Sequence, residues 1–442
     1  MRALIRYVGD EQELIRRYPG IRFWILLLQF AIAEGDDEAV RRLAKDRQVL
    51  YEEASFPIYP QPLWSSEDIC GAILMLSEEY GGYGLTGQGV AVGIVDEGDH
   101  GRQVGAVVRQ IAPGARILQW NASLGGDVFA NSTEVILGVD TLVRQAISEN
   151  VPLVINLSLG TSMGAHDGQS MFETYLKGVG VLGRNLIVVS AGNEGDAGHH
   201  ASMDITTGEQ FRQFRVGPEV SDLELQIWYS SLDRLFWTLL DPRGNPAEQG
   251  AVQLGPTPYQ SRTGFRVRFP GAVTPGIWSV RAVPKSVREG RVDLWLPSQD
   301  AIGKETRFLI PDPEGTVTLP GTIPEVLTVG AYDSQRRQVA PFSGRGQEDW
   351  CAVKPDLIAP GVDLTTDLTG ETLTGTSFSA PVVSAAAALC MEWGIVRGND
   401  AYLYGQKLKM FLLRGSRPLA GSVSPNVQEG WGRLCLESSL PD

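Results

Sequence analysis

Cysteine, histidine and positive charge are all scarce in this chain of 442 residues. Its four cysteines, Cys70, Cys351, Cys390 and Cys435, lie far apart and form no C-x-x-C pair. They make neither a disulfide framework nor a zinc pattern, and Cys390, inside an apolar helical pattern, reads as a buried thiol. Lysine and arginine (38) are outnumbered by aspartate and glutamate (52), giving a formal net charge of −14. That balance argues against nucleic acid or an anionic membrane as a partner. The apolar patch 23–33 is too short to span a bilayer. The N-terminus has no basic region leading into a clean apolar stretch and a cleavage site. We therefore expect a soluble chain made without a secretory signal. Internal repeats and low-complexity segments are absent, and so is the G-x-S-x-G elbow of many esterases.

What is present is ordinary globular material, 43% hydrophobic and 20% charged, with 51 glycines and 26 prolines. The length allows two or three domains. Residues 1–55 read as a small α+β unit, with strands near 3–8, 23–33 and 49–53 and helices near 12–18 and 37–45. Three prolines in 56–64 mark a linker or an extended arm. From residue 85 strands alternate with helices: strands at 89–96, 116–120, 153–157 and 186–190, helices at 100–111, 131–149 and 171–178. This alternation predicts a parallel sheet with helices on both faces. Between 203 and 312 the pattern changes to seven short alternating strands separated by turns, the signature of an inserted β-sandwich. The α/β pattern then resumes from 313 to 442.

Four segments carry chemistry. Gly-Thr-Ser-Phe-Ser-Ala-Pro (375–381) delivers Ser377 to the first turn of an apolar helix, where unpaired N–H groups and the helix dipole favour developing negative charge. A serine hydroxyl needs a base, a carboxylate to hold that base, and donors for the oxyanion. Asp96 ends the apolar strand Val-Ala-Val-Gly-Ile-Val-Asp, at the edge where a parallel sheet opens onto its crevice. His100 starts His-Gly-Arg-Gln-Val-Gly-Ala-Val-Val, followed by Ile-Ala-Pro-Gly-Ala-Arg-Ile (111–117). Ser-Ala-Gly-Asn-Glu-Gly (190–195) follows a strand and offers Asn193 as a side-chain donor; read alone it is also a good turn.

In this order the segments resemble the motifs of the subtilisin-like serine proteases over about 56–200 and 315–440. The order Asp…His…Ser is that of subtilisin. The resemblance implies catalysis by Asp96, His100 and Ser377, with Asn193 and the Ser377 N–H as the oxyanion donors. It also implies that Ser158, Leu159 and Gly160 pair with a peptide substrate, and that Ala191 and Gly192 help wall the pocket before the scissile bond. The N-terminal unit resembles the propeptide of these enzymes, which makes it a second partner besides a protein or peptide substrate. No cofactor is implied beyond a structural calcium ion. The inserted sandwich and the segment Pro-Asp-Pro-Glu-Gly-Thr-Val-Thr-Leu-Pro-Gly-Thr (311–322) resemble the jelly-roll-bearing subtilases of clostridial spore germination; the expected lack of a signal peptide favours a cytoplasmic or spore-associated setting. Some of those relatives are proteases and others are pseudoproteases that signal without cutting; the intact Asp96, His100, Asn193 and Ser377 lead us to expect a serine endopeptidase that removes its own N-terminal unit within about 50–62, with a pseudoprotease as the alternative and an esterase as a third reading.

One departure from the family sets a structural requirement. Only four positions separate Asp96 from His100, where several tens are usual. Four residues reach at most roughly 13–14 Å, so the strand must feed directly into the histidine helix for the two side chains to meet.

Overall fold

Alternate residues of the apolar strands face two different helical layers, and this sorts the chain into a three-layer core. A computed structural model describes residues 1–54, 57–60, 82–122, 130–218, 220–247, 250–269, 273–365 and 372–440. Cys70 and the remainder of the proline-rich stretch 56–64 lie outside the described residues. Strands Ala91–Asp96, Leu153–Leu157 and Asn185–Ser190 are buried at every position. They lie parallel and adjacent, flanked by Arg116–Asn121 on one side and Leu327–Asp333 on the other. Leu357–Pro360 and Gln338–Val339 add to Leu327–Asp333.

Val92, Ile94, Val154, Leu186 and Val188 pack on one face with the helices Gly98–Ile111 and Thr376–Met391. Ala91, Val95, Leu153, Ile155, Ile187 and Val189 pack on the other with Ser132–Glu149 and Met171–Val179. Burying each such Val, Leu or Ile contributes roughly 1.5–3 kcal/mol, so this two-sided pattern fixes where the strand ends lie. The helix Thr376–Met391 is buried throughout, its alanine run allowing it to lie close against the sheet. The stretch Thr376–Val396 is long and apolar enough to cross a membrane, yet 83% of its apolar window is buried as core.

The N-terminal unit is a four-stranded antiparallel sheet ordered Arg22–Ile25, Phe30–Glu34, Arg2–Tyr7, Val49–Ala54. Strand alternation again divides it. Ala3, Ile5 and Tyr7 pack on its own helices Glu11–Arg17 and Asp37–Leu43 through Leu14, Val40 and Leu43. Leu4, Phe30 and Ile32 instead join the core cluster under the helices Ser132–Glu149 and Met171–Val179. The unit thus has one face for itself and one for the larger layer.

The insertion is a β-sandwich. Its five-stranded sheet runs His200–Asp204, Arg291–Trp295, Glu224–Ser230, Arg262–Arg268, Gly250–Gly255. Its four-stranded sheet runs Arg234–Leu240, Gly276–Ser286, Gln210–Val216, Arg307–Phe308, and the two share one apolar core. Two of these strands escape the sequence pattern. His-Ala-Ser-Met-Asp lacks a run of β-branched residues, and Gly250–Gly255 is exposed along most of its length and so shows no apolar alternation. The β structure therefore begins at His200, a few positions before the expected 203. Cys390 is a buried thiol, pushed up to about 12 by burial, and Cys351 is exposed. Cys435 is disulfide-bonded, a single bridge rather than a framework.

Candidate active site

The strand Ala91–Asp96 turns into the helix Gly98–Ile111 with a single intervening residue, Glu97. Gly98 makes this turn at φ +43°, a conformation costly for other residues. Asp96 and His100 thereby come within one turn of each other, and Asp96 Oδ1 lies 2.6 Å from His100 Nδ1. The same oxygen accepts the Glu97 N–H at 2.7 Å. A carboxylate can only accept, so Nδ1 carries the proton and Nε2 is left as the basic nitrogen. Gly101 permits the close approach, because a Cβ there would stand 2.5 Å from Gln119 Nε2 and 3.1 Å from Asp96 Cβ. The neighbouring Asp99 is exposed and pairs with Arg102 instead.

Ser377 sits in the first turn of the helix Thr376–Met391 and is fully buried. Its Oγ donates to the Ser158 carbonyl at 3.3 Å, while Ser158 Oγ donates back to the Ser377 carbonyl at 2.6 Å. The imidazole of His100 meets the ring of Phe378, the residue after Ser377, edge-on with centroids 5.6 Å apart. The histidine helix and the serine helix are thus neighbours on one face of the sheet, with their N-terminal turns at its crevice.

Asn193 closes the opposite side. Its Oδ1 accepts both the N–H and the Oγ1–H of Thr376 at 3.0 Å, and Thr376 Oγ1 accepts the Gly192 N–H at 3.1 Å. These bonds fix the amide with its carbonyl end on Thr376 and its NH2 end directed elsewhere. Sequence reasoning missed Thr376, although it adjoins Ser377 and has the hydroxyl needed to bridge the two loops. Ala191 and Gly192 are held by the Ala191 N–H to Val329 O (2.9 Å) and the Thr318 N–H to Ala191 O (3.0 Å).

The edge strand Leu159–Gly160 carries a further observation. Leu159–Gly160 pairs antiparallel with the chain's own segment Pro57–Pro60, in the register Leu159↔Pro60 and Gly160↔Tyr59. The other side of that segment pairs with Ala130–Asn131. Residues 57–60 are therefore the middle strand of a three-stranded sheet whose outer strands come from the α/β layer. Ala130–Asn131 gave no signal in the sequence beyond the helix start at Asn131. Gly160 backs onto Thr318, where a Cβ would come within 2.3 Å of Oγ1.

With the fold and this arrangement in hand, comparison with known proteins is direct. The Subtilase family profile matches residues 303–432. The structure of the Clostridium perfringens CspB protease superimposes with a TM-score of 0.72 at 27% identity, covering 82% of this chain and 94% of that one. Residues 303–432 thus match the Subtilase family. Among curated proteins, the chain is 31% identical over 132 residues to Bacillopeptidase F of Bacillus subtilis and 29% identical over 149 residues to the serine protease AprX of the same organism. It spans 9% and 32% of those two chains.

Around the site, the N-terminal unit is docked by more than its strand. Glu53 accepts the N–H groups of Met171 and Phe172 at 2.9 and 3.1 Å, capping the helix Met171–Val179. Burial pushes its carboxyl up to about 7 despite these bonds. Arg2 pairs with Glu134 at 2.7 Å, the Leu27 N–H donates to Asp140 at 2.8 Å, and Phe30 meets Tyr175 edge-on at 5.2 Å. The pair His199–His200 holds no metal arrangement: His199 Nδ1 bonds Glu194 at 2.9 Å, and His200 bonds the Glu314 carbonyl and Asp293. Among the described residues no three His, Cys, Asp or Glu side chains stand close enough to hold an ion.

Proposed function

We propose that this protein is a serine endopeptidase that cuts its own chain between residues 50 and 62. The observation that carries the reading is the three-stranded sheet, in which residues 57–60 pair with Leu159–Gly160, directly after Ser158, whose side chain bonds the Ser377 carbonyl. A peptide bound by strand addition is what an endopeptidase must hold before it cuts.

In this reading Ser377 Oγ leaves its bond to the Ser158 carbonyl by rotation about χ1 and gives its proton to His100 Nε2. Asp96 keeps the imidazole in the tautomer that makes Nε2 the acceptor and stabilises the imidazolium once formed. The Ser377 oxygen attacks the carbonyl carbon and the carbonyl oxygen becomes an oxyanion. The Asn193 NH2 group and the Ser377 N–H receive that charge, and the positive end of the serine helix adds to it. The protonated His100 then gives its proton to the leaving amine, and water hydrolyses the acyl-enzyme by the same steps. Ser158, Leu159, Gly160, Ala191 and Gly192 hold the peptide. The cut lies C-terminal to the paired residues, and the N-terminal unit stays docked as an inhibitor through its apolar face.

The competing reading is a subtilase that keeps residues 57–60 in its groove and binds or signals without cutting. One experiment separates the two. Purified wild type should consist of two fragments, Ser377→Ala of one intact chain, and a fluorophosphonate probe should label wild type only. An intact wild-type chain with no labelling would replace the endopeptidase with the binding protein.

A further inference from the structure

The sandwich begins at His200, seven residues after Asn193, and its strand Arg291–Trp295 pairs with that first strand and leads into the helix Gln299–Ile302. The entry to the sandwich and this later segment meet on one side chain, Glu194, the immediate neighbour of Asn193. Glu194 Oε2 accepts from His199 Nδ1 at 2.9 Å and, from the later segment, from the Gln299 N–H at 3.4 Å. The backbone closes the same joint, the Leu296 N–H donating to the His199 carbonyl at 2.9 Å. Glu194 is 3% exposed and His199 1%. Because a carboxylate only accepts, the proton sits on His199 Nδ1. His199 Nε2 is then a bare acceptor, buried without a hydrogen-bond partner. Desolvating a carboxylate and orphaning a ring nitrogen both cost stability, and a plain strand junction requires neither.

Apart from the Thr376 hydroxyl, which accepts the Gly192 N–H and donates to Asn193 Oδ1, the bonds that hold the rest of the Asn193 loop to the α/β layer are backbone ones. The Gly195 N–H donates to Phe342 O at 2.9 Å, and the Gly344 N–H to Gly192 O at 2.9 Å. At Gly195 a Cβ would stand 2.2 Å from Ser343 O, so no side chain can anchor the loop there. Glu194 is left as the side chain that ties this loop to the insertion.

We propose that Glu194 and His199 are positioning residues for the oxyanion donor, through which the sandwich sets the direction of the Asn193 amide. This rests on the endopeptidase reading. It assigns the insertion a part in the chemistry, because His199 reaches Glu194 only if the sandwich is folded onto the layer.

The test is a pulse–chase of the newly synthesised full chain, timing its conversion to two fragments. Glu194→Ala and His199→Leu should slow conversion by roughly 10- to 100-fold, the scale of a small misplacement of a catalytic group. Glu194→Gln and His199→Asn, which can rebuild the hydrogen bond, should convert within about threefold of wild type. Glu194→Asp keeps the charge but falls short by one methylene, and should be slow; it serves if the alanine variant does not fold. In an Asn193→Ala background, Glu194→Asp should add no further slowing. Equal slowing in both backgrounds, or full speed for Glu194→Asp, overturns the proposal while leaving the endopeptidase intact. A wild-type chain that neither converts nor takes up the fluorophosphonate label removes the endopeptidase reading, and this proposal with it.

Discussion

Replacing the Asp96 carboxylate by an amide alters a single group, yet it removes the negative charge that stabilises the His100 imidazolium, and leaves one neutral oxygen to accept from both Nδ1 and the Glu97 N–H. We expect Asp96→Asn to lower the rate of self-processing by a factor on the order of 10⁴ with unchanged folding, as measured by pulse–chase and circular dichroism. Asn193→Ala removes one of the two proposed oxyanion donors and should cost on the order of 10²–10³ in the same assay. A third residue-scale expectation concerns pH. His166 is stacked on Trp295 (centroids 4.1 Å, planes 4° apart) and bonds the Ser162 carbonyl through Nε2. Burial, helped by His200 and Arg262, pushes its pKa down to about 3 from the ordinary 6.5. Between those values the unfolded chain binds a proton that the folded chain refuses, so stability is full above about pH 6.5 and falls as pH drops toward 3. At pH 5 wild type should have lost about 2 kcal/mol that His166→Gln keeps. Thermal unfolding of both chains at pH 5 and 7.5 measures the difference, and parallel curves would refute it.

The elements that were legible in the sequence are those whose pattern reports burial on their own. Ala91–Asp96 and Asn185–Ser190 are uninterrupted apolar runs, and the serine helix announces itself through its small residues. The join from Asp96 to His100 was readable only as a requirement; what satisfies it is Gly98 at positive φ and the missing side chain at Gly101. Elements that depend on distant partners left no trace. Ala130–Asn131 is a strand because residues 57–58 lie beside it, and the pairing of Pro57–Pro60 with Leu159–Gly160 joins segments about a hundred residues apart. The bonds of Thr376 to Asn193 and of His199 to Glu194 are equally non-local or depend on loop shape. The substrate edge itself offers an element-scale test. Gly160→Ala would push a methyl group into Thr318, displacing the edge strand rather than the serine. Self-processing should slow by about tenfold or more, a misplacement effect. Fluorophosphonate labelling, which needs no peptide strand, should stay close to wild type.

At the scale of the whole molecule three bodies share two seams. The N-terminal sheet presses Leu4, Phe30 and Ile32 onto the helices Ser132–Glu149 and Met171–Val179, and the sandwich meets the α/β layer through stacked His166, Trp295 and His200 and through Arg262, which donates to the Ala165 carbonyl at 2.8 Å. The first seam is pH-sensitive in a stated direction. Glu53 is raised to about 7 where it caps its helix, with Glu52 beside it also raised by burial. A released unit would titrate Glu53 near the ordinary carboxylate value, so the docked state holds a proton between about 4.5 and 7 that the free state gives up. Docking should therefore weaken as pH rises through 7. Glu53→Gln should flatten that dependence, which size-exclusion chromatography of the processed protein at pH 6 and 8 would read. A fragment clamped on both flanks by main-chain bonds cannot be pushed aside edgewise by an incoming polypeptide; it has to peel away first. Under the proposed self-processing, the tempo at which such a molecule becomes available to other chains is set by an off-rate, long after the first bond has been broken.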